Sequence, residues 1–244
     1  MKMKTKNVIL ATIFGGMLFA TLAVPAVQAQ TSKSGTFTVS ADLVSSYIWR
    51  GIPQEGSKGG SPNIQPCVTY TNGIFSIGAW GSSAFSGQVK EVDLCAMLAM
   101  SKDFSIMITD YNWNNNHNYF NYQSHGTDHI YEATLAYAGA QAFPLSVSVN
   151  TMFYGDDKNA SGNNAYSSYL ELGYPLSSMV KAFMGASLVD SPMIYGNSNF
   201  AVINIGLRAT KIMKVTDTFS LPVYGILGCN PQLGKAFFVA GITL

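Results

Sequence analysis

Eight charged residues recur at the same kind of position along this chain. Asp42, Arg50, Glu91, Asp93, Glu132, Glu171, Lys181 and Arg208 each stand on the polar side of a run in which apolar and polar residues alternate. Carboxylates and cations gathered on one face can do two things. They can line a constriction of both signs that orients a small polar solute, or they can neutralise one another as a salt-bridged filling. A second group surrounds the longest polar loop: His117, His125 and His129, with Asp110 and Asp128 nearby. Their spacing matches no zinc motif. An imidazole with a carboxylate at an exposed rim can serve as the general base of a hydrolase, with Asp110, His125 and Asp128 as its members; a solvated loop that carries histidines is the simpler alternative. The chain has no Gly-x-Ser-x-Gly and no phosphate-binding loop. It predicts no catalytic residue, no metal and no cofactor.

The runs that hold these residues have period two, the signature of strands with unlike faces. Phe37, Val39, Ala41, Leu43, Tyr47 and Trp49 share one face, and Thr38, Ser40, Asp42, Ser46 and Arg50 the other. The first strand is thereby expected to run from Thr36 to Arg50. Similar runs follow at 63–70, 74–85, 91–100, 104–113, 129–138, 143–154, 166–174, 180–189, 199–209, 218–227 and 235–244. Asn72-Gly73 between the second and third is a strong hairpin signal. Pro66 lacks a ladder donor, which predicts a bulge there.

Twelve strands with an apolar and a polar face predict an all-β, antiparallel transmembrane β-barrel of the outer-membrane kind. Long polar loops alternate with mostly tight turns, as in barrels with short periplasmic and long outer connections. Tyr47, Trp49, Tyr70, Trp80, Tyr111, Trp113, Tyr154 and Tyr174 near strand ends are expected as interfacial girdles. The final run places Phe238, Ala240, Ile242 and Leu244 on one face, similar to the signal read by barrel assembly machinery. The partners expected are outer-membrane lipid, that machinery and small polar solutes.

Composition agrees. Charged residues are 11% of the chain, against about 25% in ordinary soluble domains. Lys2, Lys4 and Lys6 precede an apolar run, Val8 to Val24, and Val27-Gln28-Ala29 supplies small residues for cleavage. Residues 1–29 read as a secretory signal and 30–244 as a single barrel domain in the cell outer membrane. Removing the signal takes three of the 14 basic residues and leaves 11 against 13 acidic ones. That balance gives no basic patch for nucleic acid. Cys67, Cys95 and Cys229 form no disulfide framework; they fit as small strand residues, with one disulfide as the alternative.

The opening stretch resembles the TorF-like porin family of outer-membrane proteins. The resemblance rests on Tyr47-Ile48-Trp49-Arg50-Gly51-Ile52 with Gln54, then Pro62-Asn63-Ile64-Gln65, Gly78-Ala79-Trp80-Gly81-Ser82 and Glu91-Val92-Asp93-Leu94, in that order within the first hundred residues. It implies a barrel of porin architecture and carries no particular solute. Within this reading Arg50 ends the first strand near the outer mouth. An unpaired guanidinium in a narrow lumen is costly, so Arg50 is expected to pair with Glu91 or Asp93.

The signal reading has a direct check. Ala29→Arg is expected to block processing, because the peptidase pocket takes small residues. N-terminal sequencing of the secreted wild-type protein should begin at Gln30, and a start elsewhere contradicts the assignment.

Overall fold

The computed structural model describes residues 35–55, 60–88, 90–113 and 117–244. The expected signal, residues 1–29, lies outside them. The described residues form strands and connections, with no helix long and apolar enough to cross a membrane.

The strands are β1 (Thr36–Val44), β2 (Ile48–Trp49), β3 (Ile52–Pro53), β4 (Asn63–Asn72), β5 (Phe75–Ala84), β6 (Lys90–Ala99) and β7 (Phe104–Asn112). They continue as β8 (His129–Tyr137), β9 (Ser146–Gly155), β10 (Ser168–Pro175), β11 (Val180–Ser187), β12 (Ala201–Lys214), β13 (Ser220–Asn230) and β14 (Lys235–Thr243). All except β2 and β3 belong to one closed barrel of twelve antiparallel strands, each paired to its neighbours in sequence. The ring closes where β1 meets β14, with Asp42 opposite Thr243 and Val44 opposite Gly241. Closure leaves no long free edge, so the wall satisfies its own backbone groups.

Alternation sorts the two faces of the wall. On β7, Phe104, Ile106 and Ile108 are exposed outward, whereas Ser105, Met107 and Thr109 are buried inward. On β6, Val92, Leu94 and Leu98 point out, and Glu91, Asp93 and Met97 are buried inside. The outside is an apolar belt; the inside mixes hydroxyls, amides, charges and aromatic rings.

Three expectations require correction. The first strand stops at Val44 rather than Arg50. At Ser45 the backbone still bonds the wall, its N–H donating to the Ala240 carbonyl at 2.9 Å. Beyond it the chain turns inward and forms the two-residue hairpin β2–β3, with Trp49 opposite Ile52. Second, Pro66 causes no bulge. The β4–β5 register is the same before and after it, from Ile64↔Ser83 to Cys67↔Trp80. The missing N–H interrupts the ladder without shifting it. Third, the girdle reading fails for five aromatics. Tyr47, Trp49, Trp80 and Tyr111 are buried in the lumen, with Trp113 packed against them. Tyr154 and Tyr174 are exposed, and Tyr70 packs on the exposed Phe37 ring. The three cysteines are free thiols.

Two register shifts break the wall. One lies between Tyr131 and Glu132 on β8, the other between Gly185 and Ala186 on β11. Bulges turn side chains out of strict alternation, and both of these lie beside the inward hairpin.

Candidate functional site: a plugged lumen

The hairpin turns on Arg50 and Gly51, whose φ angles are 50° and 80°. Positive φ at both central positions is what a two-residue type I′ hairpin needs. Gly51 meets that need without strain, and it also lets the turn press against β12. A Cβ there would lie 2.1 Å from the Ile203 carbonyl oxygen. Ile203 is the extra residue that the second register shift inserts, and it is fully buried. Asn230 on β13 holds the turn from another side, its amide donating to the Gly51 carbonyl at 3.3 Å.

This turn carries Arg50 across the lumen to β8. Its Nη1 and Nη2 donate to the two carboxylate oxygens of Glu132 at 2.6 and 2.8 Å. Both residues are buried, Arg50 at 4% exposure and Glu132 at 0%. Tyr195 accepts a second bond from Nη1 at 2.6 Å, and the Tyr111 hydroxyl donates to Glu132 at 3.1 Å. The guanidinium carbon lies 4.6 Å from the ring centres of both Trp49 and Tyr169. Trp49 in turn stacks on Tyr195 and meets Tyr111 and Trp113 edge-on. The charge pair therefore sits inside a cage of rings that reaches it from β2, β7, β10 and the 188–200 loop. Gly185 opens room for Tyr169, because a Cβ at that position would overlap the phenol.

The expected partners of Arg50 were Glu91 and Asp93, and this requires correction too. The acid is present, but it is Glu132. Because the hairpin leaves the wall, Arg50 reaches the far side instead of the adjacent rim. Glu91 and Asp93 are buried at 1% and 3% exposure. Asp93 accepts from the Asn112 backbone N–H at 3.2 Å. The two carboxyl groups face each other, and Glu91 also faces the Tyr47 hydroxyl.

The other inward charges stand elsewhere. Tyr224 donates to Asp42 at 2.9 Å, and Tyr169 donates to Glu171 at 2.9 Å. Arg208 lies over the Tyr224 ring, its guanidinium carbon 3.7 Å from the centroid. Lys181 is directly opposite Arg208 across the β11–β12 pair. The sequence reading missed Tyr195, Tyr169 and Tyr111 as partners of the charges. Their inward phase was readable on β7 and β10, but Tyr195 lies in a loop that no periodicity covers.

Further contacts tie the hairpin and the long loops to the wall. Gln54 accepts from the Trp113 indole at 3.2 Å, which ties the hairpin to β7. Glu55 accepts from the Asn63 amide at 3.0 Å, and burial raises its carboxyl above the usual range despite that bond. The histidine loop does not gather Asp110, His125 and Asp128. Asp110 is paired with His129 at 2.8 Å, Asp128 with His117 at 2.8 Å, and His125 contacts Ser124. His129 also meets the Tyr119 carbonyl at 2.5 Å through Nε2. Both neighbours of that ring are acceptors, so it clamps the loop onto β7. Among the described residues no cluster of three metal-ligating side chains occurs.

Comparison with family models, with curated proteins and with solved structures returned no match.

Gly51→Ala should displace the hairpin, since strain at positive φ costs about 1–3 kcal/mol and the new methyl meets backbone rather than a movable side chain. Thermal unfolding of the folded barrel is expected at lower temperature, with Trp emission shifted to the red. An unchanged transition and spectrum would contradict the packing of the turn on β12.

Proposed function

We propose that this chain is an outer-membrane barrel that works as a narrow channel for small polar solutes, closed at rest by the Ser45–Gln54 segment. The observation that carries the reading is the plug itself. A complete twelve-strand wall has an apolar outside and a charged inside, and the inward hairpin crosses that lumen without being part of the wall. An apolar belt of this kind suits lipid, and charges sorted inward suit water. A barrel of about eight strands is filled by side chains, and one of about sixteen holds an aqueous channel. Twelve strands with an added segment are consistent with a passage that opens when the segment moves. The resemblance to TorF-like porins supports the same class.

Insertion has its own test. Val149 on β9 points outward and is 40% exposed, whereas its neighbour Ser148 faces the lumen. Val149→Arg near the midplane should cost about 2–4 kcal/mol in a bilayer, measured by urea unfolding in vesicles. Ser148→Arg is expected to cost less. Equal damage from both would oppose a lipid-facing wall.

Conduction is tested in planar bilayers. Glu132→Gln removes the charge while keeping a group that can hydrogen-bond, so it loosens the plug with the least structural damage. The wild-type barrel is expected to open rarely, and Glu132→Gln several-fold more often. A folded variant as silent as the wild type would defeat the channel reading and leave a closed surface barrel.

A further inference from the structure

Glu91 and Asp93 stand on the inward face of β6 with one residue between them, buried at 1% and 3% exposure. Their carboxyl groups face each other. Trp80 of β5 is directly opposite Asp93 in the wall. The Tyr47 ring of the hairpin segment packs on that indole, with 5.6 Å between ring centres. From there the Tyr47 hydroxyl faces Glu91. The two acids therefore touch the segment that crosses the lumen.

The ion pairs among the described residues include neither acid. Arg50, the cation of the same segment, is taken by Glu132. The other titratable groups that face the pair are Tyr111 and Asp110 of β7 and Tyr119 of the histidine loop. The nearby imidazole, His129 of β8, is held by Asp110. Donors reach the acids from two sides, the Asn112 backbone N–H on Asp93 and the Tyr47 hydroxyl on Glu91. That environment suits one negative charge. Two carboxylates in contact at such depth do not both ionise, so the closed barrel keeps a proton between them.

We propose that Glu91 and Asp93 form a proton-operated latch on the hairpin: a proton shared between them keeps the segment seated, and its loss as the pH rises releases the segment. Tyr47 covers the pair from the hairpin, so displacing the segment admits water, and in water both acids ionise as free carboxyls. The seated state thus holds one proton more than the displaced state. Above the range where free carboxyls ionise, the seated-to-displaced ratio then falls by about tenfold for each pH unit. The latch names the regulation of the proposed channel and rests on that reading for its effect on conductance.

All three tryptophans of the chain touch the segment: Trp49 is part of it, Trp80 packs on Tyr47, and Trp113 donates to Gln54. Their emission reports the seating of the hairpin independently of conductance. The folded wild-type barrel is titrated in detergent from about pH 5 to about pH 9, on the alkaline side of free carboxyls, and the same range is run in planar bilayers. A reversible red shift with rising pH is expected. Opening should become about tenfold or more frequent between about pH 6 and about pH 8. The double variant Glu91→Gln with Asp93→Asn has no proton to lose there and should show neither change. Asp93→Asn alone, which removes the like charge and leaves an amide to donate to Glu91, should flatten the response as well. Gel mobility of unheated samples establishes that each variant is folded. Flat wild-type emission overturns the latch. So does a transition of wild-type size in either folded variant, which would place the titrating group elsewhere, His129 included. Flat emission together with intact conductance of the Glu132→Gln barrel removes the latch and leaves the channel. A reversible shift that the double variant loses, in a barrel that never conducts, leaves the latch and removes the channel.

Discussion

A guanidinium and a carboxylate meet in the middle of this barrel with almost no access to water, and the surrounding structure is arranged around that meeting. Neither ion is tolerable alone at such a depth, because stripping a charge of water costs several kcal/mol that its partner must offset. The offset requires near-ideal geometry. Arg50 and Glu132 meet it with two parallel bonds, and Tyr195 and Tyr111 occupy further donor and acceptor positions on the pair. A buried pair of this kind adds little net stability. Its consequence is positional: the hairpin has one place to rest.

That constraint explains features which look unrelated along the chain. The I′ turn at Arg50-Gly51 aims the guanidinium inward. The shift at Tyr131/Glu132 falls at the acid that receives it, and the shift at Gly185/Ala186 brings Ile203 under the turn. The rings of Trp49, Tyr169 and Tyr195 exclude water from the pair. The lumen is consequently divided. Rings crowd around the Arg50 pair; Tyr169 links it to Glu171, and Asp42, Lys181 and Arg208 lie along the inner wall. The segment is held by the ion pair, by ring packing and by a few hydrogen bonds, whereas the wall strands are bonded along both sides.

The wall was legible in the sequence because it obeys a short-range rule. Period two depends on each residue and its neighbours, so Phe104–Asn112 or Ser146–Gly155 can be read without knowing the fold. The inward phase of seven of the eight charges follows from the same rule, and the eighth, Arg50, faces the lumen because its turn leaves the wall. The plug was not legible for the converse reason. Tyr47, Trp49 and Arg50 continue the alternation of β1, and the same alternation describes a strand in the wall or a hairpin in the lumen. What separates the two is the turn. Arg50-Gly51 is a weaker hairpin signal than Asn72-Gly73, since Arg rarely takes positive φ, although Pro53 two residues on was a clue that no long wall strand continued. The partner of Arg50 was out of reach altogether. Glu132 lies 82 residues away, and its approach depends on a bulge that no local pattern announces.

The most direct test of the account is a double-mutant cycle on the central pair, with Arg50→Met and Glu132→Leu made singly and together and unfolding followed in detergent. Each single change leaves one buried ion unpaired and should cost about 3–5 kcal/mol. The double variant, which buries two apolar groups in place of two ions, should recover most of that loss. Singles whose costs simply add in the double variant would show that Arg50 and Glu132 do not depend on each other, and would contradict the claim that their pairing holds the plug.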